Sequence, residues 1–275
     1  MTSKFCVVGS PVEHSLSPAI HSAAYAHLGF DFIYEKHEVS SGELSSFLRE
    51  NDFDGLSVTM PLKQEALLLA ETSSEVASST GVANTLVRTS SGWAAHNTDV
   101  FGISECIKSA GDVKQAVVLG SGATARSAIA AIVNLYPEAR ISIMARNAES
   151  GILILGYAQK FSSQSSLVDP STELIAVADL VISTVPGDSY SELWADVGAS
   201  SSSSTGLFLD VAYNPWPSAA ASSWGGVSVS GLEMLIWQAV EQVRLFAQSQ
   251  NESNAFQAAE VYEVMKKAVS DITDH

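Results

Sequence analysis

Three short parts of the sequence group side chains that can hold a small polar molecule and transfer a proton. HSLSP occupies residues 14–18, SVTMPLK occupies residues 57–63, and ANT and NTD occupy residues 83–85 and 97–99. Each places hydroxyl, amide or ionisable groups beside the end of a predicted strand. Ligands of open α/β sheets collect in the crevice beyond those strand ends. The sequence therefore predicts a binding site for a small molecule at one edge of a sheet.

Lys63 is the side chain in these segments that is best suited to give and take a proton. Pro61 predicts that a helix begins near residue 60, which puts Lys63 in the first helical turn. The helix dipole is positive there and disfavours a charged ammonium, as suits general acid–base chemistry. Asp99 would hold the ammonium in place if the two segments converge in the fold. A solvated surface lysine stays open as the alternative on these observations.

A glycine-rich turn in VVLGSGATARSA, residues 117–128, has the pattern with which nucleotide-binding folds hold a pyrophosphate. Gly120 permits the tight turn from strand to helix, Gly122 lets the backbone approach the phosphates, and Ala125 allows close helix packing. Unpaired N–H groups at the helix start then attract the anion. We interpret the segment as a dinucleotide site rather than a plain turn.

The end of the following strand favours NADP over NAD. An acidic residue there binds the ribose 2′-hydroxyl of NAD, whereas an arginine accommodates the 2′-phosphate of NADP. The strand ends ISIMARN, with Arg146 and Asn147 and no acid before Glu149. A solvent-facing arginine with no ligand is the alternative.

The elements that must position these groups alternate between strand and helix, which predicts an α/β fold with mostly parallel sheets and a doubly wound second part. The predicted strands are 4–9, 32–39, 55–59, 115–119, 140–144, 179–184 and 207–211. The predicted helices are 18–28 with Ser17 as N-cap, 42–49, 61–70, 124–135, 232–246 and 254–272. Gln238 and Gln242 are expected on a different face from the buried stripe of their helix. The serine run 200–204 is expected to be a surface loop.

Composition narrows the class of protein further. The 275 residues carry a net charge of −16, which repels nucleic acid and anionic membranes. We expect neither a secretory signal nor a membrane span, because residues 1–9 lack the pattern of a signal and no apolar run reaches the length of a spanning helix. Cys6 and Cys106 match no metal or redox spacing, and the six histidines show no close ligand pair. We expect a cytoplasmic protein without a metal site, and with no nucleic-acid or membrane partner.

Taken together, the motifs resemble those of the shikimate dehydrogenase family, in family order and over nearly the whole chain. The matching segments are GSPVEHSLSPAIH (9–21), VTMPLK (58–63), ANTL (83–86), NTD (97–99), GSGATAR (120–126), DVAYNP (210–215) and GLEMLIWQA (231–239). The resemblance implies reversible NADP-dependent reduction of 3-dehydroshikimate to shikimate, a step towards chorismate and the aromatic amino acids. It also implies a substrate-binding α/β domain, residues 1–101 completed by helices in 232–275, and a Rossmann-type NADP-binding domain, residues 102–231.

The resemblance assigns roles residue by residue. Lys63 and Asp99 would be the catalytic pair. The implied substrate-binding residues are Ser15 and Ser17 for the carboxylate, Thr59, Asn84 and Gln238 for the hydroxyl groups, and Tyr213. The implied cofactor-binding residues are Gly120, Ser121, Gly122, Ala123, Thr124, Arg146, Asn147 and Thr184.

Four positions depart from the commonest family pattern. Ser57 stands where asparagine is frequent, Ala123 replaces a third glycine, and Val100 follows NTD in place of glycine. Ser150 stands where a second basic residue often supports NADP selectivity. None of these changes removes a reacting group.

Two alternatives stay open. A quinate dehydrogenase using NAD would keep the same chemistry and differ in the pocket near Ser15 and Ser17. A catalytically silent sensor of a metabolite or dinucleotide could use the same fold, since fold does not fix function. The retained Lys63–Asp99 pair argues against the sensor. The sequence leaves the oligomeric state, including a homodimer, undetermined.

Overall fold

A computed structural model of the protein describes residues 2–186, 189–199, 206–252 and 257–273. The chain divides into two compact units: unit 1 comprises Met1–Phe101 and Ile236–His275, and unit 2 comprises Gly102–Leu235. The serine run 200–204 and the first residues of the last predicted helix lie outside the described residues. Within the described ranges, no helix is both long and apolar enough to cross a membrane.

Strands and helices alternate along most of the chain. The first part contains β1 (Ser3–Gly9), α1 (Ser17–Leu28), β2 (Phe32–Glu38), α2 (Leu44–Glu50), β3 (Gly55–Val58), α3 (Lys63–Leu69), β4 (Thr72–Ser73), α4 (Glu75–Thr80), β5 (Thr85–Thr89), β6 (Gly92–His96) and α5 (Asp99–Ile107). The second contains β7 (Gln115–Leu119), α6 (Ala123–Leu135), β8 (Arg140–Met144), α7 (Ala148–Ala158), β9 (Ser165–Val168), α8 (Thr172–Ala176), β10 (Leu180–Ser183), α9 (Ser191–Ala199), β11 (Leu207–Asp210), α10 (Ala219–Ser223), β12 (Val227–Ser230), α11 (Gly231–Ser249) and α12 (Ala258–Thr273).

The sheet of unit 1 is mixed: three of its five strand pairings are parallel, as expected, and two are antiparallel. Its strand order is β2-β1-β3-β5-β6-β4. β1 runs parallel to β2 and β3, whereas β5 runs antiparallel to β3 and β6. Thr89 at the end of β5 pairs with Gly92 at the start of β6, and a two-residue turn connects the two strands. A turn this short can join only antiparallel strands. The turn is Ser90–Ser91, and it lacks the Asn-Gly or Asp-Gly signal that would have predicted the hairpin.

The sheet of unit 2 has the predicted doubly wound form. Its strand order is β12-β11-β10-β7-β8-β9, and every neighbouring pair is parallel. The bounds predicted for β7 and β8 are confirmed. The strand order reverses between β7 and β10, and such a switch point is where open α/β sheets bind ligands.

The first helix starts differently from the prediction. Ser17 is the first residue of α1 and not its N-cap, because Leu16 before it already has right-handed backbone angles. A capping side chain needs an extended backbone at that point. Instead, the Ser15 hydroxyl accepts a hydrogen bond from the Ser17 N–H, at 3.3 Å.

The C-terminal half of α11 packs on the sheet of unit 1 through Phe246. Its ring stacks on Phe5 of β1 with centroids 4.5 Å apart. A side chain on Gly55 of β3 would meet the same ring at 2.6 Å, so glycine leaves the room that the helix needs. This packing brings Gln238 and Gln242 onto the sheet, where both are buried. The expected separation of the two glutamines from the buried face was therefore wrong.

Candidate active site

The centre of the candidate site is an ion pair between the two residues singled out for proton transfer. The Lys63 ammonium donates to Asp99 Oδ2 at 2.5 Å. The side chains are 13% and 5% exposed, so water screens the pair little. The lysine nevertheless keeps some accessible surface, and a small molecule can reach it.

Local structure explains why the pair meets. After β3, a turn in which Leu62 N–H donates to the Thr59 carbonyl places Lys63 at the first position of α3. Asp99 is the first residue of α5, where the helix dipole favours an anion. The Ala83 N–H donates to the Lys63 carbonyl at 2.8 Å and ties α3 to the segment before β5.

Asn84 joins this pair to the rest of unit 1. Its Nδ2 donates to Asp99 Oδ1 at 2.8 Å and to Gln238 Oε1 at 3.1 Å. Its Oδ1 accepts from the Thr98 N–H and the Thr85 hydroxyl, both at 2.8 Å. The side chain is 2% exposed, and its polar atoms are satisfied inside the protein. Four of the singled-out residues are therefore brought together by direct hydrogen bonds: Lys63, Asp99, Asn84 and Gln238.

Ser15, Ser17 and Thr59 follow the ends of the two parallel neighbours β1 and β3. The Thr59 N–H donates to the Val8 carbonyl at 2.9 Å, which fixes the point where β3 ends. A side chain on Gly9 would lie 2.3 Å from Thr59 Cγ2, so glycine is required for the two segments to approach. The Thr59 hydroxyl makes no hydrogen bond within the described residues and is available to a ligand.

Sequence reasoning assigned no individual role to several polar residues around Asn84. Thr85, Thr98 and Gln242 are buried and bonded to it, and Tyr34 reaches the same cluster through Ser57. The spacing of Gln242 four residues after Gln238 on an apolar helix was the available signal. Tyr34 gave none, because an isolated tyrosine in a strand is common in any core.

The glycine turn of unit 2 lies at the switch point of its sheet. Gly120 has φ of +121°, and a side chain there would lie 2.3 Å from Thr184 Oγ1. Gly122 precedes α6 and has open space around it. No side chain in the described part of the chain caps this helix start, so its N–H groups are available to an anion.

The other predicted cofactor residues surround this turn. Ser121 and Ser150 approach each other, with their hydroxyl oxygens 2.9 Å apart. Asn147 caps α7 by accepting from the Ser150 N–H, so it also has a structural role. Thr184 donates its hydroxyl to the Leu119 carbonyl at 2.8 Å. Arg146 is exposed.

Tyr213 belongs to unit 2, where it follows β11. Burial raises the pKa of its hydroxyl, which therefore stays protonated and can donate a hydrogen bond. Among the described residues, no group of three or more His, Cys, Asp or Glu side chains could hold a metal ion.

The chain contains a doubly wound unit with an uncapped glycine turn, and it also contains a buried lysine–carboxylate pair. This combination is typical of the dinucleotide-dependent oxidoreductases. Comparison with known proteins refines it. The family model of the shikimate dehydrogenase substrate binding domain matches residues 7–86. A curated shikimate dehydrogenase (NADP(+)) from Prochlorococcus marinus (strain AS9601) is 34% identical over 261 residues, which are 88% of this chain and 91% of that protein.

Solved structures agree. The crystal structure of Mycobacterium tuberculosis shikimate dehydrogenase has a TM-score of 0.84 and 32% identity, over 98% of this chain and 99% of that one. Shikimate 5-dehydrogenase from Thermus thermophilus, in complex with NADP(H) and shikimate, has a TM-score of 0.79 and 25% identity, over 97% and 99%. The chain belongs to the shikimate dehydrogenase family, which confirms the resemblance and the predicted fold class.

Proposed function

We propose that this protein catalyses the reversible NADP-dependent reduction of 3-dehydroshikimate to shikimate. The observation that carries the proposal is the Lys63–Asp99 pair, fixed by Asn84, in a chain of this family. In this proposal, residues 1–101 and 232–275 bind the substrate, and residues 102–231 bind NADP.

Lys63 acts as the proton donor and acceptor. NADPH, when bound, supplies the hydride that adds to the ring carbonyl carbon. The protonated Lys63 donates its proton to the oxygen on which negative charge develops, and the product is the hydroxyl group of shikimate. In the reverse direction, neutral Lys63 takes the proton from that hydroxyl. Asp99 holds the ammonium in position, and such positioned proton transfer contributes about 10²–10⁴-fold to a rate.

The substrate contacts follow from the chemistry of the polar groups. Ser15 and Ser17 donate hydroxyl hydrogen bonds to the carboxylate of the substrate. Thr59, Asn84 and Gln238 hold its ring hydroxyl groups, and Tyr213 is a further substrate-binding residue. In a chain with a net charge of −16, such specific donors must overcome a repulsive background field.

The residues of unit 2 fit an NADP molecule. The uncapped N-terminus of α6 and the open space at Gly122 suit the pyrophosphate, held by residues 120–124. The exposed Arg146, with Asn147, would hold the 2′-phosphate, and Thr184 would lie at the nicotinamide end. We also propose a cytoplasmic location, since Cys6 and Cys106 are free thiols and not a disulfide.

The test is a grid of two substrates and two cofactors. Purified protein is mixed with shikimate or quinate and with NADP or NAD, and the absorbance of reduced nicotinamide is followed. Reduction that is fastest with shikimate and NADP is the expected result. A preference for quinate or NAD would move the protein to the rival activity. No reduction in any combination, by a folded protein that binds NADP, would favour the sensor.

A further inference from the structure

A chain of hydrogen bonds runs through the interior of unit 1 from a strand on one side of the sheet to α11. The Tyr34 hydroxyl of β2 donates to the Ser57 hydroxyl of β3 at 2.6 Å. Ser57 in turn donates to Gln242 Oε1 of α11 at 2.8 Å. Gln242 Nε2 then donates to the Thr85 hydroxyl of β5 at 3.0 Å. Four elements that are distant in sequence are thus linked by side chains alone.

The chain continues to the reacting pair. Thr85 donates to Asn84 Oδ1 at 2.8 Å, and Asn84 Nδ2 donates to Asp99 Oδ1 at 2.8 Å. The other carboxylate oxygen, Oδ2, receives the Lys63 ammonium. Every bond from Tyr34 onwards donates in the same direction, which ends at the Asp99 carboxylate. Aligned hydrogen bonds of this kind polarise and strengthen one another.

Two backbone groups fix this direction. The Thr98 N–H can only donate, and it lies 2.8 Å from Asn84 Oδ1, so the Asn84 amide must turn its NH₂ group towards Asp99. The Asn84 carbonyl can only accept, and it receives Gln242 Nε2 at 3.2 Å. Gln242 must therefore present its oxygen to Ser57, and Ser57 must accept from Tyr34.

The hydrogen-bond chain is shielded from water, and the tyrosine at its start stays protonated. Ser57, Thr85 and Gln242 are each at most 5% exposed, so water cannot easily replace a lost partner. Burial raises the pKa of Tyr34 well above its ordinary value, and hydrogen bonds with Ser57 and Ser17 offset only part of the rise. Tyr34 therefore remains a donor at any pH at which the protein is assayed.

We propose that Tyr34, Ser57, Gln242 and Thr85 are positioning residues that hold the Asn84 amide, together with the Thr98 N–H, in this orientation and thereby fix the Asp99 carboxylate. A reversed amide would point its oxygen at the carboxylate and repel it. With the amide held, Oδ1 is occupied by Asn84 and Oδ2 is left for Lys63. This inference rests on the proposed function, because it concerns the rate of that reaction.

The hydrogen-bond chain also accounts for the serine at position 57. Its short side chain fits between Tyr34 and Gln242 and bonds to both, accepting from one and donating to the other. A hydroxyl can do both at a single atom, and the glutamine of α11 supplies the amide that continues the chain.

The experiment interrupts the hydrogen-bond chain at two side chains and measures kcat and KM for shikimate at saturating NADP. Ser57→Ala removes the middle hydroxyl, and Tyr34→Phe removes the first donor. Tyr25→Phe is the matched control: Tyr25 is also buried in unit 1, and its hydroxyl has no hydrogen-bond partner within the described residues. Denaturant unfolding of each variant shows that it is folded at the assay temperature.

We expect kcat to fall about tenfold in Ser57→Ala and about threefold in Tyr34→Phe, with KM changed less than kcat, as expected when a reacting group is slightly misplaced. Tyr25→Phe should keep the wild-type kcat. The double variant Tyr34→Phe/Ser57→Ala should be no slower than Ser57→Ala, since the chain is already broken.

Wild-type kcat in both folded single variants would overturn the inference while leaving the proposed function intact. Additive losses in the double variant would also overturn it, because the two hydroxyls would then act independently. An inactive wild-type protein would overturn both the proposed function and the inference.

Discussion

The charged ammonium of Lys63 is disfavoured by its place in α3 and is stabilised by the neighbouring Asp99 carboxylate. A cation at the first position of a helix meets the positive end of the dipole. Asp99, bonded to both the ammonium and the Asn84 amide, offsets that cost. Removing one partner of such a shielded pair leaves the other charge without compensation. The carboxylate is therefore as important to the proposed reaction as the lysine.

Asp99→Asn tests this dependence. The amide has nearly the same shape but carries no charge, so it can neither anchor the Lys63 ammonium as firmly nor accept from Asn84 in the same way. We expect kcat with shikimate and NADP to fall by about 10²-fold, within the range for positioned proton transfer. Asp112→Asn is the control, since Asp112 pairs with Lys114 at the surface and is 81% exposed. Equal rates for the two variants would contradict the role proposed for Asp99.

The sequence predicted which residues could react, but it could not predict how they meet. Lys63 was recognisable from its place after Pro61, and Asp99 from its carboxylate beside a strand end. Their contact depends on the course of β5 and β6, a hairpin whose serine turn carries no strong signal. The hydrogen bonds of Ser57 were equally hidden, because their partners Tyr34 and Gln242 lie 23 and 185 residues away along the chain.

At the scale of elements, the strand–glycine–helix segment of unit 2 was the most predictable part of the fold. Its strand is almost wholly buried and its helix is amphipathic, so local pattern and final structure coincide. The two glycines of the turn serve different purposes. Gly120 is needed for the fold, because of its positive φ and the nearby Thr184 hydroxyl. Gly122 is not constrained in this way and leaves space for a ligand.

Gly122→Ala is therefore expected to weaken NADP binding without destabilising the protein. The added methyl group meets no atom of the described residues within 4 Å, but it occupies the space through which the pyrophosphate approaches the backbone. We expect the Kd for NADP, measured by calorimetry, to rise at least about tenfold, the effect of losing roughly 1.4 kcal/mol of binding free energy.

Gly156→Ala provides the comparison for that variant. Gly156 lies in α7 and also has open space around it, so the same substitution there should leave NADP affinity unchanged. An alanine within a helix should if anything stabilise it. Unchanged affinity in Gly122→Ala, or an equal loss in Gly156→Ala, would contradict the placement of the pyrophosphate.

At the scale of the whole molecule, unit 1 holds a buried titratable group that limits stability in acid. His21 is fully buried, stacks on Tyr34 with centroids 4.0 Å apart, and has its Nδ1 2.9 Å from the Ser17 carbonyl. Burial lowers its pKa from 6.5 to about 4, and the hydrogen bond with the Ser17 carbonyl offsets part of that effect. The folded protein therefore keeps this imidazole neutral where the unfolded chain would protonate it.

The free energy of unfolding should consequently fall as the pH drops from about 6.5 to about 4, because only the unfolded state binds the extra proton in that window. The expected loss is roughly 2 kcal/mol between about pH 7 and pH 5, measured by urea unfolding.

His21→Asn keeps a donor near the Nδ1 position and does not titrate, so it should flatten this part of the profile. His14→Asn, at an exposed histidine, should leave the profile as in the wild type. The same slope in His21→Asn and the wild type would contradict the assignment.

Proton transfer by Lys63 is the step on which the proposed reaction depends most. The most direct measurement is the turnover of Lys63→Ala on shikimate and NADP, together with its Kd for shikimate. We predict that kcat falls by about 10²–10⁴-fold while the Kd changes little, because the group acts on the developing charge more than on the bound substrate. Lys114→Ala, at a lysine that is 78% exposed, should retain wild-type turnover. Turnover near the wild-type value in Lys63→Ala would contradict the central claim.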